Sequence, residues 1–412
     1  MGIIARALLP QLQAALNESR VVALLGARQV GKSTLVRSLC RAYYSLDDLA
    51  TRSTAERDPT GFVRSLPAGA AIDEVQRVPE VLLAIKSVVD LDPSPGQFMV
   101  TGSANILTLP TIADSLAGRM RIFELQPFAE VEIESTSHNA VDRLFDERLG
   151  QSEHFSTSPQ LVPDLIGRLT RGGYPEVVRL THESSRAGWF SDYLLAIIQR
   201  EVREIARIGN VADMERLMRI LAVRSGQILS PTKLSSEIEI PKETLRRYTR
   251  ILEQLYLVHA LPAWSGDPGR RYIKGPKLFI NDVGLAVYEL GADAQRLAKN
   301  HDLLGNLTET FVVNEIRKHA SWSMTRPRLF HLRTSSGTEV DLILEARDGR
   351  RVAIEIKLTA SPGPRDTRAL RDLVSSDQHI VRGVLFCAHE QALQIAERVY
   401  LLPIPWLWQN NV

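Results

Sequence analysis

Residues 21–39 read VVALLGARQVGKSTLVRSL: five apolar residues, a loop bounded by glycines, then a helix. Gly26, Gly31, Lys32 and Ser33 fit the spacing G-x-x-x-x-G-K-[ST]. The glycines let successive backbone N–H groups point at one centre, and the helix that follows adds its positive end, so the stretch is built for phosphate. In such a loop Lys32 reaches the outer phosphates, the Ser33 hydroxyl meets Mg²⁺, and Thr34 is expected with them among the nucleotide-binding residues. The expected ligand pair is ATP with Mg²⁺. The bland alternative is a strand–loop–helix with no ligand.

Phosphate chemistry of this kind needs carboxylates on a neighbouring strand. GAAIDEVQRVPE (69–80) places Asp73 and Glu74 at the end of an apolar run. Asp73 suits the metal's water shell and Glu74 suits a general base. The next apolar run, QFMVTGSAN (97–105), ends in Ser103 and Asn105 at the edge where an open parallel sheet binds ligands. Either residue can orient water or phosphate there. IADSLAGRMRIFEL (112–125) then reads as helix, glycine stop and strand. Arg119 and Arg121 lie at that junction. Arg119 either complements the helix C-terminus or reaches a neighbouring subunit's phosphate.

At this point the chain resembles AAA-type ATPases, in a bacterial and archaeal branch where GARQVGKST, IDEVQRVPE, VTGSAN, SLAGR and RGGYPEVVRL recur in this order. The resemblance implies nucleotide and hydrolysis roles for Lys32, Ser33, Asp73 and Glu74. It also implies an arginine finger at Arg119, acting in trans within a homo-oligomer. It covers nearly the whole chain, but the C-terminal part of such proteins is usually a domain of unknown function, so the family leaves the biology open.

Composition bounds the rest. The chain has 412 residues, too many for one compact core. Fifty Lys/Arg against forty-eight Asp/Glu leave a net charge of +2, so any nucleic-acid face must be local. Two distant cysteines, Cys40 and Cys387, argue against a disulfide framework or a thiolate zinc site and suit a cytoplasmic protein. No apolar run reaches membrane-spanning length. The expected fold class is α/β with four segments. Residues 1–133 form a P-loop AAA-type parallel sheet with helices. Residues 134–212 form a polar insertion and helical lid, 213–280 a winged helix-turn-helix, and 281–412 a restriction-endonuclease-like α/β domain.

The winged-helix expectation rests on three short helices. Ser230 and Pro231 mark the start of the second. In the third, Leu245, Tyr248, Leu252 and Leu255 make an apolar stripe, while Lys242, Arg246, Arg247 and Arg250 face one acid, Glu243. GDPGRRYIKGPK (266–277) reads as a basic wing carrying Arg270 and Arg271. Residues 213–277 hold twelve Lys/Arg and seven Asp/Glu, a local excess that suits DNA phosphates. A protein-binding scaffold with a solvated basic face is the alternative.

The last segment centres on TEVDLILEARDGRRVAIEIKL (338–358). A two-residue turn at Asp348-Gly349 would mix apolar and charged faces. A three-residue loop, 347–349, pairs Val340 with Ile356, Leu342 with Ile354 and Leu344 with Val352, so apolar meets apolar. That register sets Asp341 opposite Glu355 and Glu339 opposite Lys357. Facing carboxylates repel unless water or a cation lies between them. Asp341, then Glu355-Ile356-Lys357, resembles the PD-(D/E)xK nuclease-like superfamily, although the proline is missing before Asp341. The resemblance implies Mg²⁺ or Mn²⁺ held by Asp341, Glu355 and the helical Glu309, with Lys357 near the scissile phosphate. A plain solvated strand face is the alternative. HEQALQIAE (389–397) is expected to be helical and RVYLLPIPW (398–406) a final strand. The combined expectation is an ATPase acting on DNA, including branched DNA, in repair, recombination or defence. The competing expectation is a nucleotide-gated switch with an inactive nuclease-like domain.

Overall fold

The computed structural model describes residues 2–103, 116–147, 160–202, 211–267, 269, 275–333 and 339–409. The chain divides into two compact units. One comprises Gly2–Phe128 with Gln254–Tyr256, and the other Ala129–Glu253 with Leu257–Val412.

In the first unit, β1 (Val21–Leu25), β2 (Ala42–Ser45), β3 (Ala70–Asp73), β4 (Phe98–Gly102) and β5 (Met120–Glu124) form one sheet in the order β2-β3-β4-β1-β5. All its pairings are parallel. β1, β3 and β4 are buried at every position, which is why they read as continuous apolar runs. Val63, Ile72, Val81, Ile85, Val100 and their neighbours fill the core against them. The strands run the same way, so the C-terminal ends of β1, β3 and β4 share one edge. That edge carries the loop after Leu25, the acids after Ile72 and the polar residues after Val100.

In the second unit, three helices (Val211–Val223, Pro231–Ile238 and Lys242–Gln254) interleave with β6 (Gln227–Ile228), β7 (Val258–Leu261) and β8 (Lys277–Ile280). The small sheet has the order β6-β8-β7 and is antiparallel. Ser230 caps its helix by accepting the Lys233 N–H. Leu245, Tyr248, Ile251, Leu252 and Leu255 are buried, as the stripe requires.

The long helix His301–Trp322 precedes a six-stranded mixed sheet in the order β13-β14-β12-β11-β10-β9. Its strands are β9 (Arg328–Arg333), β10 (Glu339–Glu345), β11 (Arg351–Lys357), β12 (Ile380–Cys387), β13 (Leu393–Ala396) and β14 (Val399–Pro403). β10 and β11 pair Leu342 with Ile354 and Leu344 with Val352, and Gly349 turns the hairpin at φ +88°. This is the register in which apolar meets apolar. HEQALQIAE departs from expectation: Leu393–Ala396 is a strand, paired antiparallel with β14. The segment is too short to hold a helix by its own hydrogen bonds, and the edge of β14 offers it a ladder instead. Arg398, in the left-handed region, turns the chain between the two strands.

The RGGYPE segment has a packing role. Gly172 (φ +68°) and Gly284 meet so closely that a Cβ on Gly284 would stand 2.9 Å from Gly172 backbone. The buried Asp282 carboxylate accepts the Gly173 N–H at 2.8 Å and the Leu285 N–H at 3.0 Å. Tyr174 is fully buried, its hydroxyl 2.9 Å from that of Tyr193.

Candidate functional site

The phosphate loop is shaped by close backbone approach. A Cβ on Gly26 would lie 2.2 Å from the Leu125 carbonyl oxygen, so no other residue fits there. Gly31 caps the helix Lys32–Leu39, which starts with Lys32, Ser33 and Thr34. Lys32 is buried, and its Nζ donates to the carbonyls of Gly26 at 3.0 Å and Ala27 at 2.8 Å. Burial brings its pKa down to about 8, with Glu74 and Asp73 pulling the other way and Arg28 adding to the fall.

Asp73 is the hub. The Ser33 hydroxyl donates to its Oδ2 at 2.8 Å, Tyr43 donates to the same oxygen, and Thr101 donates to Oδ1. Tyr43 lies on β2, at one side of β3, and Thr101 lies on β4 at the other. Burial, followed by the hydrogen bond to Asp73, holds the Tyr43 phenol above its usual pKa. The donor set fits a hydrated Mg²⁺: one carboxylate and one hydroxyl at hydrogen-bond distance beside a phosphate loop.

Glu74 has a left-handed backbone, φ +60°, a conformation uncommon outside glycine and asparagine. Its N–H donates to Thr101 Oγ1 at 3.3 Å. Its carboxylate accepts from Gln76 and, at 3.2 Å, from Ser103, and Gln76 Nε2 also donates to Ser103 Oγ at 2.8 Å. Ser103 is thus tied to Glu74, whereas Asn105 lies outside the described residues. Tyr43, Gln76 and Thr101 were not singled out from sequence. The usable signal was position: each lies at or near the strand edge that the parallel sheet presents to the loop.

Arg119 precedes β5, and its carbonyl accepts the Val21 N–H at 3.2 Å. It therefore lies at the edge opposite this chain's own phosphate loop. There it makes a two-pronged ion pair with Asp90, one arm at 3.1 Å.

On the helix Lys242–Gln254, Lys242, Arg246, Arg247 and Arg250 are all exposed, opposite the apolar stripe. Arg246 pairs with Glu243 at 2.9 Å. Arg270 and Arg271 lie outside the described residues. Lys277, counted with the basic wing, is corrected by the structure. It opens β8 with its side chain only 3 % exposed, and its Nζ meets Glu309 at 3.0 Å, Glu339 at 3.1 Å and Asp341 at 3.3 Å.

This cluster is the C-terminal candidate site. Asp341 Oδ2 accepts the Ile356 N–H at 3.0 Å. Lys357 pairs with Glu355 at 2.8 Å, whereas the hairpin register alone set Glu339 beside Lys357. Burial and then Asp341 push the carboxyls of Glu309 and Glu355 up to about 7. Burial works against the Lys277 charge, but Glu309, Asp341 and Glu339 outweigh it and raise its pKa. Glu315 lies elsewhere, buried against Lys318 at 2.7 Å. Among the described residues, no three Asp, Glu, His or Cys side chains are grouped as a metal cage. Glu309, Asp341 and Glu355 are instead held by lysines, so as arranged they do not fit a divalent cation.

Three family models match the chain: an AAA domain (AAA_14) over residues 18–134, a domain of unknown function (DUF8612) over 162–296 and another (DUF4143) over 304–407. An uncharacterized protein of Mycobacterium tuberculosis is 27 % identical over 396 residues, 95 % of this chain and 82 % of its own. One from Methanocaldococcus jannaschii is 21 % identical over 376 residues, 85 % of this chain and 78 % of its own. Among solved structures, AMPPCP-bound DnaA from Aquifex aeolicus overlaps 60 % of this chain and 86 % of its own at 12 % identity, with a TM-score of 0.27. An overlap at that score carries no structural argument. Among the described residues, no helix is long and apolar enough to cross a membrane. The AAA-domain match and the Lys32–Ser33–Asp73–Glu74 geometry together support an AAA-type ATPase domain in the N-terminal third of the chain.

Proposed function

We propose that the chain is a Mg²⁺-dependent ATPase that binds DNA and couples ATP hydrolysis to work on that DNA. The observation that carries the ATPase reading is the Ser33–Asp73 contact at 2.8 Å, beside a phosphate loop and next to Glu74. Lys32 supplies positive charge to the phosphates, and Ser33 and Asp73 are the residues that would hold the metal. Bound there, Mg²⁺ would neutralise charge developing on the transferred phosphoryl group. Glu74 takes a proton from the attacking water, and Ser103 and Gln76 aim its carboxylate. Arg119 cannot reach its own chain's loop from the opposite sheet edge, so its catalytic use is in trans, within a homo-oligomer.

The DNA reading is supported by three helices and the β6-β8-β7 sheet, an order compatible with the expected winged helix-turn-helix, and by an exposed basic face on the third helix. Duplex binding should weaken steeply with salt. Replacing Arg246, Arg247 and Arg250 by Ala should reduce the slope of log affinity against log salt by about 0.9 for each phosphate that is no longer neutralised. An unchanged slope removes this helix from the interface. ATP turnover measured with single-stranded, duplex and branched DNA tests the coupling: stimulation by DNA supports it, and indifference to all three refutes it.

The Lys32 pKa gives a second test. Its free-state value of about 8 rises when phosphates approach, so binding takes up a proton. Affinity for ATP should be flat below pH 8 and fall by up to about tenfold per unit above it. Calorimetry from pH 7 to 9.5 checks this, and an affinity that is flat across that range counts against Lys32 as a phosphate ligand.

One observation favours a second reading, a nucleotide-gated switch whose nuclease-like domain is an inactive scaffold. Two carboxylates of that domain, Asp341 in the hairpin and the helical Glu309, are already paired from within by Lys277.

A further inference from the structure

We propose that Lys277 is a built-in cation that closes the C-terminal carboxylate site to divalent metals. The inference rests on the nuclease-like reading of Glu309, Asp341 and Glu355. It adds a residue that neither the hairpin nor the helix contains.

Lys277 comes from a different sheet, yet its Nζ has three carboxylate partners within 3.3 Å: Glu309 from the long helix, and Glu339 and Asp341 from β10. An ammonium has three donors, so this one is saturated. Its side chain is 3 % exposed, and a charge buried that far persists only when paired. The residue is also anchored through its backbone. It opposes Ile228 of β6 on one side and Leu261 of β7 on the other. A change of rotamer would strand the ammonium in a buried place, so withdrawing Lys277 means moving β8.

Most of the carboxylate oxygens are already engaged. One oxygen of Asp341 holds Lys277 and the other takes the Ile356 N–H. One oxygen of Glu355 holds Lys357, leaving Oε2 as a buried carboxylate oxygen without a hydrogen bond. Lys277 thus engages one oxygen on each of Glu309, Glu339 and Asp341, and its ammonium is a fixed positive charge among them that repels Mg²⁺ or Mn²⁺, ions that also ask for about six oxygens in near-octahedral array. Nevertheless, among the described residues four carboxylates (Glu309, Glu339, Asp341, Glu355) face two ammonium groups (Lys277, Lys357), so this set retains negative charge. Taking Lys277 away frees oxygens on Glu309 and Asp341 and deepens that charge. The lysine is therefore what stands between this cluster and a divalent ion.

The test is Mn²⁺ binding to the full chain without nucleotide, read by electron paramagnetic resonance. The wild type and Lys277→Arg should show no binding that depends on Glu355 up to millimolar Mn²⁺. Lys277→Met should bind about one Mn²⁺ per chain, at least about tenfold more tightly than the wild type, and lose it when Glu355→Gln is added. Lys277→Met leaves buried carboxylates uncompensated and can misfold, so Lys277→Met/Glu339→Gln, which removes one charge of each sign, is measured beside it. Circular dichroism checks the fold of each. If the wild type binds Mn²⁺ through Glu355 as tightly as these variants, Lys277 does not close the site, while the metal-site reading survives. If the folded double variant shows no Glu355-dependent Mn²⁺, the carboxylates are not a metal site and both readings fall.

Discussion

Replacing Glu74 by Gln will lower ATP turnover by roughly a hundredfold or more while leaving nucleotide binding nearly unchanged. The carboxylate sits one residue beyond Asp73 but on a left-handed backbone, φ +60°, which turns it away from the line of β3. That strain is unusual for glutamate and is held by the Thr101 contact on the N–H and by Ser103 and Gln76 on the carboxylate. Glutamine keeps the shape and can keep the Ser103 contact, but it cannot take a proton. Single-turnover hydrolysis separates the two steps, with labelled nucleotide reporting binding. Lys32→Ala is the contrasting variant: it should lose binding itself, because it removes a buried cation held at the loop by the carbonyls of Gly26 and Ala27. Full turnover by Glu74→Gln would remove Glu74 as the base.

Replacing Gly172 by Ala will destabilise the second unit by about 3 kcal/mol or more, among the larger effects expected of one methyl group. Two causes add. The backbone at φ +68°, ψ −168° is a region open essentially to glycine alone. The new Cβ would also lie 2.4 Å from Asp282 Oδ1, displacing a buried carboxylate from the Gly173 and Leu285 N–H groups it satisfies. Gly167, in the helix Leu161–Arg171, is the control. A Cβ there meets nothing within 4 Å, so Gly167→Ala should be neutral or stabilising by up to about 1 kcal/mol. Urea denaturation followed by circular dichroism compares the two. Equal midpoints for both variants would mean that the Gly172–Asp282 lock contributes little.

The features that were legible in the sequence are those whose physics is local. A phosphate loop needs its strand, glycines, lysine and hydroxyl in consecutive positions, so nine residues from Gly26 to Thr34 expose it. The hairpin register was legible because strand periodicity is two and only one loop length keeps apolar opposite apolar. The helix expected at HEQALQIAE was not, because four residues at a sheet edge take their structure from β14 rather than from their own pattern. Tyr43 and Thr101 went unnoticed beside Asp73 because they come from 30 and 28 residues away and meet it only when β2 and β4 flank β3.

Lys277 marks the boundary most clearly. In sequence it closes a run of basic residues and reads as one more solvent-facing phosphate contact. In the structure it lies 64 residues from Asp341 along the chain and 3.3 Å from it in space. By itself the sequence determined the parallel P-loop sheet, the amphipathic basic helix and the register of the hairpin that carries the acids Asp341 and Glu355, because each follows from backbone periodicity over a few turns or strands. Only the tertiary structure decided what neutralises those acids. Buried charge seeks its partner through space, and which element supplies that partner depends on how two separate sheets pack.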